Sequence, residues 1–305
     1  MNKKIIVFGS KGLVGTSVTK IFSEAGYDIF PSTRKDTDLF KIDQVKNLIE
    51  EFKPNLIINA AAKVGGIYAN DTLRTEFLIE NLKINTNILE SCIPNTNIEI
   101  INLGSSCIYP LDAKNPIAES SIMSGVLEPT NSPYAMAKLT AIELGRSLSI
   151  QYGHKVTNLM PTNLYGPHDN FDEINSHVIP GLISRMHKSK LNKEKEFSIW
   201  GTGKPLREFL FVDDLAYAIK FIVENNIETD LINVGSNEEV SILELAKEIK
   251  SVVGFEGELI FDSTKPDGNP RKLLDSTLLN NKGWNAKTNL SDGLEITYKW
   301  FKENI

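Results

Sequence analysis

Tyr134 and Lys138 stand four residues apart, the spacing that puts two side chains on one face of a helix. A phenol beside an ammonium is an acid–base pair. The positive charge favours the ionised phenol, whose ordinary pKa is about 10. The lysine can also reach the ribose hydroxyls of a nucleotide. Tyr-x-x-x-Lys alone is common and carries little. It gains meaning from Ser105, which follows Ile100-Ile101-Asn102-Leu103 and Gly104 at the carboxyl end of a predicted strand. Ligands of open α/β sheets bind beyond such ends.

A second constellation is Gly9-Ser10-Lys11-Gly12-Leu13-Val14-Gly15, between a predicted strand and the chain's first predicted helix. Glycines at these steps allow a tight turn and close approach of the backbone to a pyrophosphate, which the helix N-terminus then attracts. A plain strand-to-helix turn is the bland alternative, and the strand before and helix after favour the phosphate reading. A site selective for NAD usually carries an acid at the end of the second strand. Here that segment reads Phe30-Pro31-Ser32-Thr33-Arg34-Lys35, with no acid before Asp36. Arg34 can hold a 2′-phosphate that a carboxylate would repel, so NADP is expected over NAD. The alternative is that Arg34 is a solvated loop residue.

These groups need a scaffold that repeats strand and helix. Predicted strands cover 4–8, 28–31, 56–58, 98–103, 155–160 and 231–234, and predicted helices 13–25, 44–52, 72–92, 134–151, 177–188, 212–225 and 241–253. Near-continuous apolar strands alternating with amphipathic helices point to a parallel sheet covered on both faces. The pattern becomes irregular after residue 162. Residues 1–162, rejoined by about 206–236, are expected to bind the dinucleotide, and 163–205 with 237–305 to form a substrate lobe. The stretch Lys188–Glu196 reads as a solvated turn.

Composition sets the outer bounds. The chain has 305 residues, with 33 basic and 39 acidic side chains and a net charge of −6, a poor balance for gripping nucleic acid or an anionic membrane. No apolar run approaches the roughly 18 residues needed to span a bilayer. Met1-Asn2-Lys3-Lys4 is followed by only four apolar residues, too few for a signal peptide's core, so 4–8 reads as a strand. Two cysteines, Cys92 and Cys107, give no disulfide framework. A cytoplasmic location is expected.

The glycine turn, Ser105, Tyr134-x-x-x-Lys138 and Arg207-Glu208-Phe209-Leu210-Phe211-Val212-Asp213-Asp214 resemble the extended short-chain dehydrogenase/reductase family. That resemblance implies α/β architecture: a Rossmann-type doubly wound parallel sheet with a smaller α/β lobe for a nucleotide sugar. Longer strings resemble the branch that epimerises and reduces GDP-4-keto-6-deoxymannose to GDP-L-fucose. They include 60–67, 103–110, 127–131, 160–171, 175–180 and 265–275. Lys11 stands where arginine is common in that branch, and either can meet phosphate.

The resemblance implies roles residue by residue. A C4 ketone acidifies the C3 and C5 protons, and inversion needs a base on one face and an acid on the other. Cys107 matches the base and His177 the acid, groups whose ordinary pKa values are about 8.5 and about 6.5. Ser105 and Tyr134 would hold the C4 oxygen, and Tyr134 with Lys138 would serve reduction by NADPH. Cofactor contacts are implied for Gly9, Ser10, Lys11, Gly12, Leu13, Val14 and Gly15. They are also implied for Leu103, Gly104, Ser105 and Ser106, for Lys138 and His177, and for Pro161, Thr162, Asn163 and Leu164. Arg185, Trp200, Arg207 and Asp267 would contact the GDP-sugar. No metal-ligand spacing occurs, and the family is commonly a homodimer. The close alternative is a C4 reductase of a related GDP-4-keto-6-deoxy sugar, such as a heptose, with little epimerisation. A nucleotide-sugar 4-epimerase or dehydratase retaining NAD, and a non-catalytic NADP-binding protein, fit the residues less well.

Overall fold

The first strand shows why the central layer forms. β1 (Lys4–Phe8) sends Ile5 and Val7 into one apolar cluster and Ile6 and Phe8 into another, all four fully buried. A strand buried on both faces has no polar alternation, and each such side chain contributes roughly 1.5–3 kcal/mol. The chain continues through α1 (Leu13–Glu24), β2 (Asp28–Ser32), α2 (Ile42–Phe52), β3 (Leu56–Asn59), α3 (Ile67–Thr72), α4 (Arg74–Cys92) and β4 (Glu99–Leu103). A short 3-10 turn at Ser106–Ile108 and a long connection lead to α5 (Ser132–Tyr152) and β5 (Val156–Pro161). The computed structural model describes residues 3–173, 175–264, 267 and 269–305. Of the sequence features above, Met1, Asn2, Lys265, Pro266 and Gly268 lie outside the described residues.

The second half runs β6 (Asn163–Tyr165), α6 (Val178–Leu191), β7 (Glu196–Trp200), β8 (Leu206–Phe211), α7 (Val212–Glu224) and β9 (Leu231–Val234). It closes with β10 (Glu239–Ser241), α8 (Ile242–Val253), β11 (Glu258–Asp262), β12 (Arg271–Lys272), α9 (Thr277–Asn281) and α10 (Leu290–Asn304). The main sheet is parallel, in the order β2-β1-β3-β4-β5-β9. Helices α1 and α7 pack together beside one cluster, and α2, α4 and α5 cover the opposite face. The order reverses between β1 and β3, which opens a crevice at the carboxyl ends of the strands.

The smaller lobe has its own core, in which Phe171, Leu182, Met186, Phe209, Leu245 and Phe301 pack together. β8 lies centrally there, antiparallel to β10 and parallel to β12 and β6, while β7 pairs with β11. Within the segment 206–236, expected to rejoin the dinucleotide-binding part, residues 206–211 pair in the small sheet, α7 packs on α1, and Leu231–Val234 adds the last strand of the main sheet. Leu206 and Arg207 are only half-buried, a pattern the fully buried strands of the main sheet do not show. The expected turn over 188–196 is shorter, because α6 runs to Leu191 and β7 begins at Glu196.

Polar residues also cross the main sheet. Asn59, Asn102 and Asn158 are paired in register on β3, β4 and β5 and are buried. The Nδ2 of Asn59 donates to Asn102 Oδ1 at 2.9 Å and to Asn85 Oδ1 at 3.0 Å. The Nδ2 of Asn102 donates to Asn158 Oδ1 at 3.0 Å, and that of Asn158 to the Asp230 carbonyl at 3.0 Å. Buried amides require such partners, and here each donor meets the next acceptor.

Candidate active site

The glycine turn sits at the carboxyl end of β1, against the β3 side of the crevice. Gly9 has φ of +77°, and a Cβ there would meet the Ala61 backbone at 2.8 Å. The amide of Gly12 donates to the Gly9 carbonyl at 3.0 Å, and Ser10 ties the turn to β2 through the Ser32 carbonyl. A Cβ on Gly15 would land on the Gly9 carbonyl, so helix and strand can approach only without one. No side chain caps α1, and its first turn holds no acid. An uncapped helix N-terminus behind a bare glycine turn fits a pyrophosphate. Beside it, Arg34 is exposed. The carboxylate of Asp36 is engaged by Thr33, through the amide at 2.9 Å and the hydroxyl at 2.6 Å. Those hydrogen bonds, and the charge of Lys11, hold Asp36 below the usual carboxylate range.

The Ser, Tyr and Lys groups converge at the ends of β4 and β5. Glu128 builds the entry to α5: it accepts from Thr130 Oγ1 at 2.6 Å and from the Asn131 amide and Nδ2, each at 2.9 Å. Pro133 then starts the helix, and Tyr134 falls in its first turn. Lys138 is 2% exposed and donates to the Leu103 carbonyl at 2.6 Å. Its Nζ lies 5.7 Å from the centre of the Tyr134 ring. Burial lowers the Lys138 ammonium to about 8.

The phenol behaves differently from the sequence expectation. Burial, reinforced by negative charge on Cys107, pushes Tyr134 well above its ordinary value, against a hydrogen bond with Ser105 that lowers it. Desolvation outweighs the neighbouring ammonium here, so Tyr134 stays protonated at neutral pH and is poised as a donor. Tyr134 packs with Ala69, Phe77 and the half-buried Cys107. The Cys107 amide donates to Ser105 Oγ at 3.2 Å, which starts the 3-10 turn. Gly104 is fixed by its amide on the Leu159 carbonyl at 2.8 Å, placing Leu103–Ser106 next to β5. Cys92 lies elsewhere, at the end of α4 with its side chain in the core, where burial raises its thiol to about 12.

His177 immediately precedes α6. The residue keeps exposed surface, yet protein atoms crowd around its imidazole, and that desolvation lowers the imidazole pKa. The segment before it is joined to the first lobe by the Gly66 amide, which donates to the Asn175 carbonyl at 2.8 Å. Thr162 Oγ1 and Asn163 Nδ2 both donate to the Glu208 carbonyl, at 3.2 and 2.8 Å, which sets the path of Pro161–Leu164 between the sheets.

A cationic group occupies the small lobe. The Arg185 guanidinium lies 5.5 Å over the Trp200 ring and 5.2 Å over Phe197. Trp200 is 56% exposed, a broad apolar face. Asp267 accepts from the Thr202 amide at 2.8 Å and hydroxyl at 2.7 Å, and its charge acts on Arg207. Burial lowers the pKa of both arginines more strongly than Glu173 or Asp267 raises them. A desolvated guanidinium is a strong partner for an anion. Two other histidines contact aromatic residues instead: His168 lies 4.7 Å from the Trp300 ring, and His187 Nδ1 shares a hydrogen bond with Tyr298 OH at 2.8 Å. Among the described residues no cluster could hold a metal ion. Sequence reasoning missed Glu128 and the Gly66–Asn175 join. Both lie inside the quoted strings, but their roles appear only when the loops meet.

The comparisons agree with this geometry. A model of the "NAD dependent epimerase/dehydratase family" matches residues 5–235. "GDP-L-fucose synthase 1" of Arabidopsis thaliana is 46% identical over 303 residues, 99% of this chain and 94% of that protein. A GDP-L-fucose synthetase from Naegleria fowleri, solved bound to NADP, superposes with a TM-score of 0.89 at 30% identity, covering 100% and 95% of the two chains. A GDP-6-OMe-4-keto-L-xylo-heptose reductase from C. jejuni gives a TM-score of 0.93 at 31% identity, over 100% and 99%. The chain belongs to the NAD dependent epimerase/dehydratase family and groups within it with the GDP-L-fucose synthases.

Proposed function

We propose that the chain converts GDP-4-keto-6-deoxymannose to GDP-L-fucose, epimerising C3 and C5 and then reducing C4 with NADPH. The observation that carries this reading is the convergence of Ser105, Cys107 and Tyr134 beside Lys138, with the His177 segment joined to the same end of the sheet. The Gly9–Gly15 turn and α1 hold the pyrophosphate, Arg34 the 2′-phosphate and Lys138 the ribose. Leu103–Ser106, Pro161–Leu164 and His177 line the remainder. NADPH supplies the hydride that C4 receives.

The chain's own residues handle protons. Cys107, as thiolate, removes a proton from the carbon beside the ketone. Ser105 and Tyr134 hydrogen-bond the resulting enolate oxygen, a stabilisation of the kind that contributes several kcal/mol in other sites. His177 returns a proton from the opposite face, and its lowered pKa makes its protonated form a readier donor. In the reduction the carbonyl oxygen gains its proton from Tyr134, which burial has kept protonated. Arg185 and Arg207 hold the diphosphate, while Trp200 and Asp267 bound the guanosine or sugar. The large sheet forms the cofactor lobe and the small sheets the sugar lobe.

The coarser physical setting agrees. No helix among the described residues is long and apolar enough to cross a membrane. We place the protein in the cytoplasm and propose a homodimer through α4 and α5, which pack on each other and expose Ile79 and Met136.

Product analysis by NMR in D₂O, with GDP-4-keto-6-deoxymannose and NADPH, tests the reading. GDP-L-fucose carrying deuterium at both C3 and C5 is expected. An undeuterated 4-reduced sugar with its original configuration would overturn it in favour of a C4 reductase.

A further inference from the structure

Residues 63–66 form the second half of the connection from β3 to α3 and meet the segment before α6. One end of the segment is pinned by Asn81, which accepts from the Lys63 amide at 3.0 Å and donates to the Lys63 carbonyl at 3.0 Å. The other end is gathered by the buried Asn70, whose Nδ2 donates to the Gly65 carbonyl at 2.8 Å and the Gly66 carbonyl at 3.0 Å. Between these anchors the segment touches both halves of the site. A Cβ on Gly65 would stand 3.3 Å from Phe77 and 3.6 Å from the Asn175 carbonyl. Phe77 packs edge-on against Tyr134, at 6.3 Å between ring centres, in the cluster that includes Cys107. Gly66 donates to the Asn175 carbonyl, and a Cβ on Gly66 would reach the Ser176 carbonyl at 2.5 Å. His177 is the next residue.

We infer that Gly66 and Asn70 are positioning residues for His177: the strap 63–66 transfers the location of Tyr134 and Cys107 in one lobe to the imidazole at the start of α6 in the other. This rests on the epimerase reading above and adds the device that registers base against acid. Neither residue touches the reacting atoms. Their effect is geometric, and a displacement of about 1 Å between reacting groups lowers rate by roughly 100-fold. Gly66→Ala adds a methyl group where the Ser176 carbonyl already sits, so residues 175–177 must move. Asn70→Ala removes the two donors that gather the strap and adds no bulk.

The experiment measures, for wild type and both variants, deuterium wash-in to GDP-4-keto-6-deoxymannose with NADP⁺ in D₂O. It also measures NADPH affinity and the NMR titration of the His177 ring. Exchange is expected to fall about 100-fold in both variants, and NADPH affinity by a much smaller factor, since His177 is one of many cofactor contacts. In Asn70→Ala the imidazole pKa should rise toward its ordinary value as residues 175–177, released from the strap, pack less closely. Folded variants with wild-type exchange and an unchanged His177 titration overturn the inference. So does a loss of NADPH affinity equal to the loss of exchange. Asn70→Ala decides alone if Gly66→Ala does not fold. Absence of exchange in the wild-type protein would count against the epimerase reading instead, and the His177 titration would still decide whether the strap positions the ring.

Discussion

Replacing Lys138 by methionine should remove function and change how stability depends on pH. Lys138 is buried with a single carbonyl partner, and its pKa falls from 10.5 to about 8. Holding the ammonium there costs roughly 3 kcal/mol at neutral pH relative to a solvated lysine. The sign follows from proton counts. Between about 8 and 10.5 the unfolded chain binds the proton that the folded chain has released, so stability rises with pH through that window. The contribution grows by about 2 kcal/mol between about pH 7 and pH 9.5 in the wild type, and by nothing in Lys138→Met. Every other group titrates in both proteins and cancels in the difference. Urea unfolding followed by tryptophan fluorescence at several pH values measures it. A difference between the two proteins that stays flat across that range would refute the burial argument for Lys138. Methionine fills similar volume without the charge, so the variant should fold well while losing NADPH affinity, stability and function moving in opposite directions.

Three further substitutions separate the roles. Tyr134→Phe should lower C4 reduction by about 10²–10⁴ with the cofactor still bound, and near-normal NADPH oxidation would remove Tyr134 from the proton-donor role. Cys107→Ser should reduce deuterium incorporation at C3 and C5 by a similar factor, and cofactor affinity should barely change; wild-type exchange would exclude the thiol as base. Arg34→Ala should weaken NADP by about 10–100-fold through loss of a charge-assisted contact and leave NAD almost unaffected. Equal weakening of both dinucleotides in equilibrium titration would mean that Arg34 does not read the 2′-phosphate.

Local signals carried much of this far. The β1-turn-α1 unit was legible because Gly9 and Gly15 each answer to a backbone contact that only glycine permits. Strands β1, β3, β4 and β5 were legible because burial on both faces removes polar alternation. Position relative to distant chain was not legible. Asn59, Asn102 and Asn158 look like interruptions of apolar strands until register sets them side by side. β8 could not be assigned to the smaller sheet from its own residues, since its neighbours β10, β12 and β6 lie far away in sequence. The Tyr134 reading erred for a related reason. The i, i+4 spacing reports the nearby ammonium but says nothing of how deeply the ring is buried, and burial decides the direction of the shift.

The asparagine row constrains how this sheet can evolve. A leucine at Asn102 alone would strand the Oδ1 of Asn158 and one donor of Asn59, each about 1–3 kcal/mol when left unpaired in a dry layer. Replacing all three together by apolar residues of similar volume should cost less than the sum of the single steps, because the partners within the row are removed together and only the Asn85 Oδ1 and the Ala61 amide lose a partner. Between those two states every single step descends. The row is therefore an epistatic unit: its members are frozen by one another, irrespective of whether any one of them is needed for chemistry. Relatives should carry it whole or have lost it whole, and a chimera joining strands from one of each kind should be less stable than either parent.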